Sequence, residues 1–460
     1  MEALLTGVAL AGSWLLGRER RRWIAWGYLA LAAASVGAEF SDEGLPWQMT
    51  LIGGILIVNA VLVFMAPLRF VRARWLLYGD LALCVASWGL LYVLPVFRLP
   101  QPTGGYAVGT QVVHWTDQTR GLDGERGGTG QRELAVQIWY PAGLEGHGAE
   151  GLRARYVRRK EVGLASSYMA GIRTNSYEDA PIAGSGGPFP VLIFGHRWGG
   201  RRTQNTVLAE ELASHGYVVV SIDHPLNTAR MERSDGSVVR SDRAAALGDL
   251  EGSSAAAIRA LWAKELEIWV ADDRFVLDKM LANNDGWFAG RLDEQRIGAF
   301  GHSFGGAAAL ALLGADVRVK CAVNLDGWTF NGLAQRTSEP VLMVYEAAAQ
   351  VRGPETGVEG ELDRYDNDSV DTSLRQFGGL RAYVAGTQHL DFTDQTLLSP
   401  WQRISYTGPI AGARIRTITN GLVLGFFDRE LRGAGEVPMF PEVTLERWPP
   451  PPKSMQSPDK

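Results

Sequence analysis

The chain has 460 residues, which is more than one typical domain needs and enough for a large core with an additional region. Its formal net charge of −5, with charged residues at 21%, gives no electrostatic reason to expect a nucleic-acid partner. The two cysteines, Cys84 and Cys321, are not expected to form a disulfide because Cys84 lies in an apolar segment, so cysteine usage does not indicate the redox compartment.

The first 98 residues are predicted to form a transmembrane region of about four helices, which would contact a lipid bilayer. A membrane-spanning helix needs roughly 17–25 mostly apolar residues. Four apolar segments approach or reach that length: residues 3–17, 23–38, 49–67 and 75–97. The last two are long enough, whereas the first two are short. A cleaved signal peptide is the alternative for the first segment, but that segment lacks a positively charged start and three more apolar segments follow it.

The charges between these segments predict their orientation. The loops after the first and third segments are rich in arginine: Arg18, Arg20, Arg21, Arg22, Arg69, Arg72 and Arg74. The loop after the second segment contains Glu39, Asp42 and Glu43 but no lysine or arginine. Because positively charged loops stay in the cytoplasm, both ends of the region and everything after residue 97 are expected on the extracytoplasmic side of the cell membrane. Asp80, inside the fourth segment, is expected to pair with Arg74 near the interface.

After a Pro/Gly-rich linker at residues 99–105, the sequence alternates short apolar segments with helical patterns. The apolar segments predict strands over residues 133–141, 190–196, 216–223, 296–302, 319–326, 340–346 and 380–386. Helical patterns cover residues 203–214, 254–281, 304–313 and 414–431. Residues 106–435 are therefore predicted to form a doubly wound, mostly parallel α/β domain with both faces of its sheet covered. Residues 436–460, which end in PPPPKSMQSPDK, are predicted to be a largely disordered tail.

Residues 301–305, Gly-His-Ser-Phe-Gly, place Ser303 between a predicted strand and an alanine-rich helix. The pattern Gly-x-Ser-x-Gly is weak by itself, since a glycine-rich chain can contain it by chance. A strand, a sharp turn and a helix are the arrangement in which a serine serves as a nucleophile, and the helix N-terminus would offer the N–H of Phe304 to a developing oxyanion. The alternative is a glycine turn of a nucleotide-binding unit, but that turn needs a Gly-x-Gly-x-x-Gly pattern, which this stretch lacks.

A serine nucleophile needs a base, and enzymes with this turn place their residues in the chain order serine, acid, histidine. His389 is the one histidine that follows Ser303. The histidines before Ser303 are predicted to pack or to lie on the surface, and His302 is predicted to point away from the site. The loop after the predicted strand 190–196 is expected to supply a second oxyanion donor, the backbone N–H of Trp198. No histidine or cysteine spacing indicates a metal, and no cofactor is expected.

Two acids end predicted strands between Ser303 and His389, namely Asp326 and Glu346. The acid usually follows the second strand after the serine, and this spacing favours Glu346. An aspartate at a tight strand end is easier to hold against a histidine ring than a glutamate that leads into a flexible segment, which favours Asp326. The spacing of the residues alone leaves the choice open.

Six blocks between residues 106 and 431 resemble motifs of the platelet-activating-factor acetylhydrolases of the plasma and type II class. They are RTNSYEDAPI, IFGHRWGGRRT, GYVVVSIDHP, RIGAFGHSFGGAAA, CAVNLDGWTF and GTQHLDFTD. The resemblance implies an α/β-hydrolase fold and a calcium-independent serine esterase that cleaves short or oxidised sn-2 acyl esters of phospholipids. It also implies Ser303 as nucleophile, Asp326 as acid and His389 as base, with the backbone N–H groups of Phe304 and Trp198 forming the oxyanion hole.

The chain departs from that family in two respects. Arg197, Trp198 and Gly199 stand where the family usually has Gly-Leu-Gly, so a bulky ring is expected to alter the acyl pocket. The animal enzymes also lack a multi-span N-terminal region. The leading prediction is therefore a membrane-anchored serine esterase that acts outside the cytoplasm on a short-acyl or lipid-like ester, which would be a small molecule or a lipid.

Two alternatives to this function stay open. One is a lipase- or cutinase-like hydrolase of polyesters or acylglycerols, in which the polar residues 226–252 and 347–379 would be lid-like loops. The other is a hydrolase-like binding domain without catalysis. A complete serine, acid and histidine set argues against it, because a domain that only binds has no need of all three.

Overall fold

The computed structural model describes residues 6–7, 30, 47–49, 52–55, 57–58, 73–124, 130–143, 153–243, 252–336, 338–351 and 356–449. These residues fall into two compact units. The first unit comprises the described residues up to Arg98 together with Arg155–Arg173 and Leu398–Trp401, and the second comprises the remainder.

The longest described element of the first unit is helix α1, Ala73–Val93. The same unit contains short 3-10 turns at Trp47–Met49, Arg159–Glu161 and Ser167–Gly171. Helix α1 corresponds to the fourth predicted span, residues 75–97, whereas the first three predicted spans lie largely outside the described residues. Asp80 interrupts the apolar sequence of α1. Among the helices that the structure describes, none combines the length and the apolar character needed to cross a bilayer, so the predicted spanning helix is not supported there.

The second unit is built on a large mixed sheet. In chain order, strands β1 to β13 are Ala107–Asp117, Arg132–Ala142, Arg153–Arg155, Arg173–Glu178, Phe189–Gly195, Val218–Asp223, Arg230–Glu232, Val238–Arg240, Leu292–His302, Val319–Leu325, Val341–Glu346, Gly379–Val384 and Val443–Trp448. The described strands form an 11-stranded sheet in the order β13-β12-β11-β10-β9-β5-β6-β2-β1-β4-β3, while β7 and β8 pair separately. Neighbours from β12 to β6 pair in parallel, and β13, β2 and β1 extend the sheet with antiparallel pairs.

Helices cover both faces of this sheet, as the sequence predicted. Helices α2 to α8 are Thr206–Ser214, Ala255–Ala282, Phe304–Ala315, Ala348–Val351, Gly357–Phe377, Gln402–Ser405 and Gly412–Arg432. In strand β5, Val191 and Ile193 join a core cluster with residues of α3, α4 and α6, while Leu192 and Phe194 join a second cluster with residues of α2 and α8. Because successive side chains of a strand point to opposite faces, a strand covered on both sides must be apolar along its length.

Residues 436–460 are predicted to be a largely disordered tail, but part of this segment is a strand of the sheet. Strand β13 lies in this segment and pairs antiparallel with β12, while residues 450–460 lie outside the described part of the chain. Val443 is buried in the second core cluster and Leu445 packs against it. These two residues alternate with polar ones, so only one face of this edge strand is apolar and its local signal is short.

The two predicted lid-like loops also contain regular structure. Residues 347–379 include α6, whose buried Leu362, Val370 and Leu374 recur on one helix face. Charged residues between them give this segment the composition of a polar loop. Residues 226–252 include the antiparallel pair β7 and β8, and residues 244–251 lie outside the described part.

Candidate active site

Ser303 occupies a sharp turn between strand β9 and helix α4. Its backbone has φ 57° and ψ −124°, a conformation that non-glycine residues rarely adopt. The N–H of Ser303 donates to the carbonyl of Leu325, at the end of β10, over 2.9 Å. The expected strand, turn and helix are thus present, and the side chain projects from a strained position that its neighbours hold in place.

Glycines on both sides of Ser303 permit this turn. A Cβ atom at Gly305 would overlap the carbonyl group of Gly195 in β5, and one at Gly301 would overlap the backbone of Gly305. The first turn of α4 therefore lies directly against the backbone of two strands. This explains why the pattern needs glycine at both positions: any side chain would push the helix away from the sheet.

Asp326 follows β10 and also has a positive φ, 53°. Its N–H donates to the carbonyl of Val344 over 2.7 Å, which fixes the start of the turn. One carboxylate oxygen, Oδ1, accepts the backbone N–H of Glu346 at 3.0 Å. The other, Oδ2, lies 2.7 Å from Nδ1 of His389.

The two acids proposed from the sequence therefore have different surroundings. The Asp326 side chain is only 9% exposed and contacts the His389 ring. Glu346 contributes its backbone N–H to the Asp326 carboxylate. Glu346, the acid that spacing favoured, thus holds the Asp326 carboxylate through a main-chain hydrogen bond.

His389 begins a short 3-10 turn, His389–Phe392, after strand β12. Its side chain is 44% exposed, so a substrate could reach the ring. His302, which directly precedes Ser303, is fully buried, and its Nε2 lies 2.8 Å from the carbonyl oxygen of His389. The sequence predicted that His302 points away from the site. Its ring instead lies against His389, with ring centroids 4.5 Å apart.

Trp198 lies in the loop after β5, as expected, and this loop is fixed by its neighbours. The N–H of Gly199 donates to the carbonyl of Asn227 over 2.8 Å. The Trp198 ring packs edge-on against Trp262, with centroids 4.8 Å apart, and against Phe304, with centroids 5.6 Å apart. The two residues expected to donate backbone N–H groups to an oxyanion are therefore in contact through their side chains.

Two other histidines lie in a buried polar network behind the Trp198 loop. Nε2 of His196 contacts Thr228 Oγ1 at 2.9 Å, and Nδ1 of His224 contacts Asp272 Oδ2 at 2.8 Å. Burial lowers the pKa of His196 to about 3, and burial also lowers the pKa of His224. Both histidines are fully buried and pack on Trp269, which agrees with the packing role predicted for them.

A cavity of about 320 Å³ brings Ser303, Asp326 and His389 together. The other lining residues are Gly327, Trp328, Phe330, Tyr345, Glu346, Ala349, Asp363, Asp366, Asn367 and Tyr383. Four of these are aromatic and three are acidic.

Asp366 accepts hydrogen bonds from the N–H and the hydroxyl of Thr329, and burial raises the pKa of its carboxyl to about 6. The sequence does not indicate the cavity residues from α6, because it predicts a polar loop in place of that helix.

A second hollow, of about 670 Å³, lies beside the first one. It shares His389 and Glu346 with the first cavity and extends to Tyr406 and Pro409. Space is therefore available on two sides of His389, and Ser303 lines the first cavity but not the second hollow.

Comparison with known proteins connects this site to one family. A family model described as platelet-activating factor acetylhydrolase, isoform II, matches residues 95–238 and 272–400. A protein of Arthroderma benhamiae named "Probable 1-alkyl-2-acetylglycerophosphocholine esterase" is 26% identical over 259 residues, which are 50% of this chain and 59% of that protein. Platelet-activating factor acetylhydrolase of Canis lupus familiaris is 24% identical over 207 residues, 39% of this chain and 45% of the dog protein. This chain therefore spans about half the length of these relatives.

A solved structure of a ferulic acid esterase from Streptomyces cinnamoneus is also similar. It superposes with a TM-score of 0.59 and 28% sequence identity, and the match covers 76% of this chain and 99% of the esterase. This neighbour agrees with an α/β-hydrolase arrangement of the mixed, mostly parallel sheet.

Proposed function

This chain belongs to the platelet-activating factor acetylhydrolase isoform II family, and we propose that it hydrolyses carboxylic esters with Ser303 as nucleophile, His389 as base and Asp326 as acid. One observation carries the proposal: Asp326 Oδ2 lies 2.7 Å from His389 Nδ1 in the cavity that Ser303 also lines. The esterases among its relatives support the same reaction class.

The reaction would proceed in two steps. Ser303 Oγ attacks the ester carbonyl carbon while His389 Nε2 accepts the hydroxyl proton, and this proton then passes to the departing alcohol as the acyl–serine ester forms. A water molecule, deprotonated by His389, attacks the acyl carbon and releases the acid, and the proton returns to Ser303. Asp326 holds the His389 ring in the productive tautomer and stabilises its protonated form. The N–H groups of Phe304 and Trp198 would stabilise the negatively charged oxygen.

We propose a short-acyl or lipid-like ester as the substrate. The names of the fungal and dog relatives point to an acetyl ester of a glycerophospholipid. A second candidate is an ester of an aromatic acid, favoured by the four aromatic side chains of the cavity, Trp328, Phe330, Tyr345 and Tyr383, and by the ferulic acid esterase neighbour. A wider lipase-like acyl site is the third possibility carried over from the sequence.

Contact with a lipid bilayer through residues 1–98, with the second unit on the extracytoplasmic side, is also a proposal. The arginine-rich loops support it, and so does helix α1. Five large residues at a spacing of three and four, Tyr78, Leu81, Val85, Trp88 and Tyr92, are 42–64% exposed on one face of α1. Two polar residues of the same helix, Asp80 and Ser87, are buried. Apolar residues outside and polar residues inside are the reverse of the pattern expected for a helix that faces water.

Replacing the nucleophile tests the proposed reaction. Ser303→Ala should lower turnover of p-nitrophenyl esters more than about a thousandfold, because the covalent route is lost. Ser303→Ala should also abolish labelling by a fluorophosphonate probe. Ser338 is exposed, and Ser338→Ala is a matched control that should retain both ester turnover and labelling. Acyl chains from acetyl to palmitoyl, together with methyl ferulate, distinguish the three substrate classes. More than a tenth of wild-type activity in Ser303→Ala would refute the assignment, and an unlabelled wild type would favour the binding-domain alternative.

A further inference from the structure

We propose that His302 and Gln204 are positioning residues that connect the backbone of His389 to the loop that carries Trp198. This inference rests on the proposed function, because it concerns how the base and the oxyanion donor are held relative to each other. Neither side chain is assigned to touch the substrate.

The first connection runs from the serine turn to the base. His302 is fully buried, and its Nε2 lies 2.8 Å from the carbonyl oxygen of His389. A carbonyl oxygen only accepts hydrogen bonds, so Nε2 must carry the hydrogen. In the neutral ring Nδ1 is then an acceptor, and it lies 3.1 Å from the side-chain nitrogen of Gln204.

The ring is held in this neutral form. Burial lowers the pKa of His302 well below its usual value, and the neighbouring His389 lowers it further. A neutral His302 has two consequences. It keeps one donor and one acceptor in fixed directions, and it places no like charge beside His389 when that ring takes up a proton during the reaction.

The second connection runs from Gln204 to the oxyanion loop. Because the nitrogen of the Gln204 side chain donates to His302, its oxygen faces the other way and accepts the N–H of Arg197 at 3.3 Å. Arg197 directly precedes Trp198. The backbone carbonyl of Gln204 also accepts the N–H of Asp394, a few residues beyond His389, at 3.0 Å.

These contacts form one chain of hydrogen bonds with a fixed direction: Arg197 N–H to Gln204, Gln204 to His302, and His302 to the His389 carbonyl. The base follows β12 and the oxyanion loop follows β5. Two loop segments that follow non-adjacent strands are thereby held at a set separation. Displacement of a reacting group by about 1 Å can reduce a rate by a factor of about a hundred, so this connection should matter for turnover rather than for binding.

The test compares two replacements of His302 with kcat normalised to the sites that a fluorophosphonate titrates. His302→Leu removes both hydrogen bonds at similar volume and should lower kcat about tenfold to a hundredfold, with KM changed less than twofold. His302→Gln retains a donor towards the His389 carbonyl and should recover most of the lost kcat. A merely structural role predicts fewer titratable sites and a lower melting temperature in both variants, with unchanged kcat per site.

Gln204→Leu keeps the proposal testable if His302→Leu does not fold, because Gln204 is only partly buried. It should lower kcat in the same range, while the exposed Gln376→Leu should match wild type. If both residues act through the same series of hydrogen bonds, kcat of the double variant should be no lower than kcat of the more impaired single variant. Losses that multiply, or unchanged kcat per site in Gln204→Leu, would overturn the inference while leaving the esterase proposal intact. A wild type without titratable sites would overturn both.

Discussion

Asp326 takes its direction from the main chain around it. Its φ of 53° turns the chain just after β10, and its N–H bond to Val344 holds that turn against β11. The carboxylate then receives the N–H of Glu346 on one oxygen and contacts His389 with the other. A carboxylate held at both oxygens has little freedom to rotate, which is what orientation of a histidine ring requires.

This geometry leads to a prediction about the two acids. Asp326→Asn should retain the fold but lower turnover roughly 10³–10⁴-fold, the effect of losing an acid that fixes the histidine tautomer. Glu346→Gln, its matched control, leaves the backbone N–H to Asp326 in place and should reduce turnover far less. The measurement is kcat on a p-nitrophenyl ester, with folding checked by circular dichroism. A larger loss in Glu346→Gln, with Asp326→Asn near wild type, would return the acid to the position that spacing favoured.

At the scale of elements, the site depends on how closely helix α4 approaches the sheet. Gly195 in β5, Gly301 in β9 and Gly305 in α4 meet backbone to backbone. This contact brings the N-terminus of α4 to the carboxyl end of the strands, where the helix dipole can act on a developing negative charge. Ala307 and Ala308 of α4 are buried in one cluster with Trp269 and Leu266 of α3.

Gly305→Ala tests this close approach. Because the added Cβ would overlap the rigid Gly195 carbonyl, the helix must shift, and we expect a loss of about 1–3 kcal/mol in the free energy of unfolding together with slower fluorophosphonate labelling. Urea denaturation measures the first and labelling kinetics the second. Gly286→Ala is the control, since its Cβ would meet only an ordinary contact at 3.5 Å. Wild-type stability and labelling in Gly305→Ala would show that the contact is not needed.

At the scale of the molecule, the order of parallel strands places the site residues together. Strands β9, β10, β11 and β12 are neighbours and run in the same direction, so Ser303, Asp326, Glu346 and His389 all lie at one edge of the sheet. In an open sheet of this kind, the crevice beyond the carboxyl ends of the strands is where ligands bind. The sheet order therefore collects residues that are far apart in the sequence.

The proposed extracytoplasmic position of the second unit can be tested on the whole chain. A reporter protein fused after Gly105 should be active only if it is of a type that works outside the cytoplasm, because the arginine-rich loops are expected to stay in the cytoplasm. Fusions of alkaline phosphatase and of a cytoplasm-dependent fluorescent protein at the same residue form a matched pair. Fluorescence without phosphatase activity would indicate an odd number of spans. The short first segment would then be the one that does not cross the membrane.

Local sequence determined much of this protein. Apolar strands of the parallel sheet, the long helices and the turn at Ser303 depend on neighbouring residues, on alternation or helical spacing and on glycine, so they could be predicted without knowing the fold. The proposal of His389 as base came from chain order alone.

Tertiary structure decided what depends on distant partners. Only the pairing of β10 with β11 shows that Glu346 donates its backbone N–H to the Asp326 carboxylate. Strand β13 is recognisable only beside β12, because an edge strand with one apolar face gives a weak local signal. The hydrogen bonds from the His389 carbonyl through His302 and Gln204 to Arg197 likewise join segments at the ends of three different strands. Hydrogen bonds between remote segments leave no periodicity in the sequence, and for this reason only the folded chain reveals them.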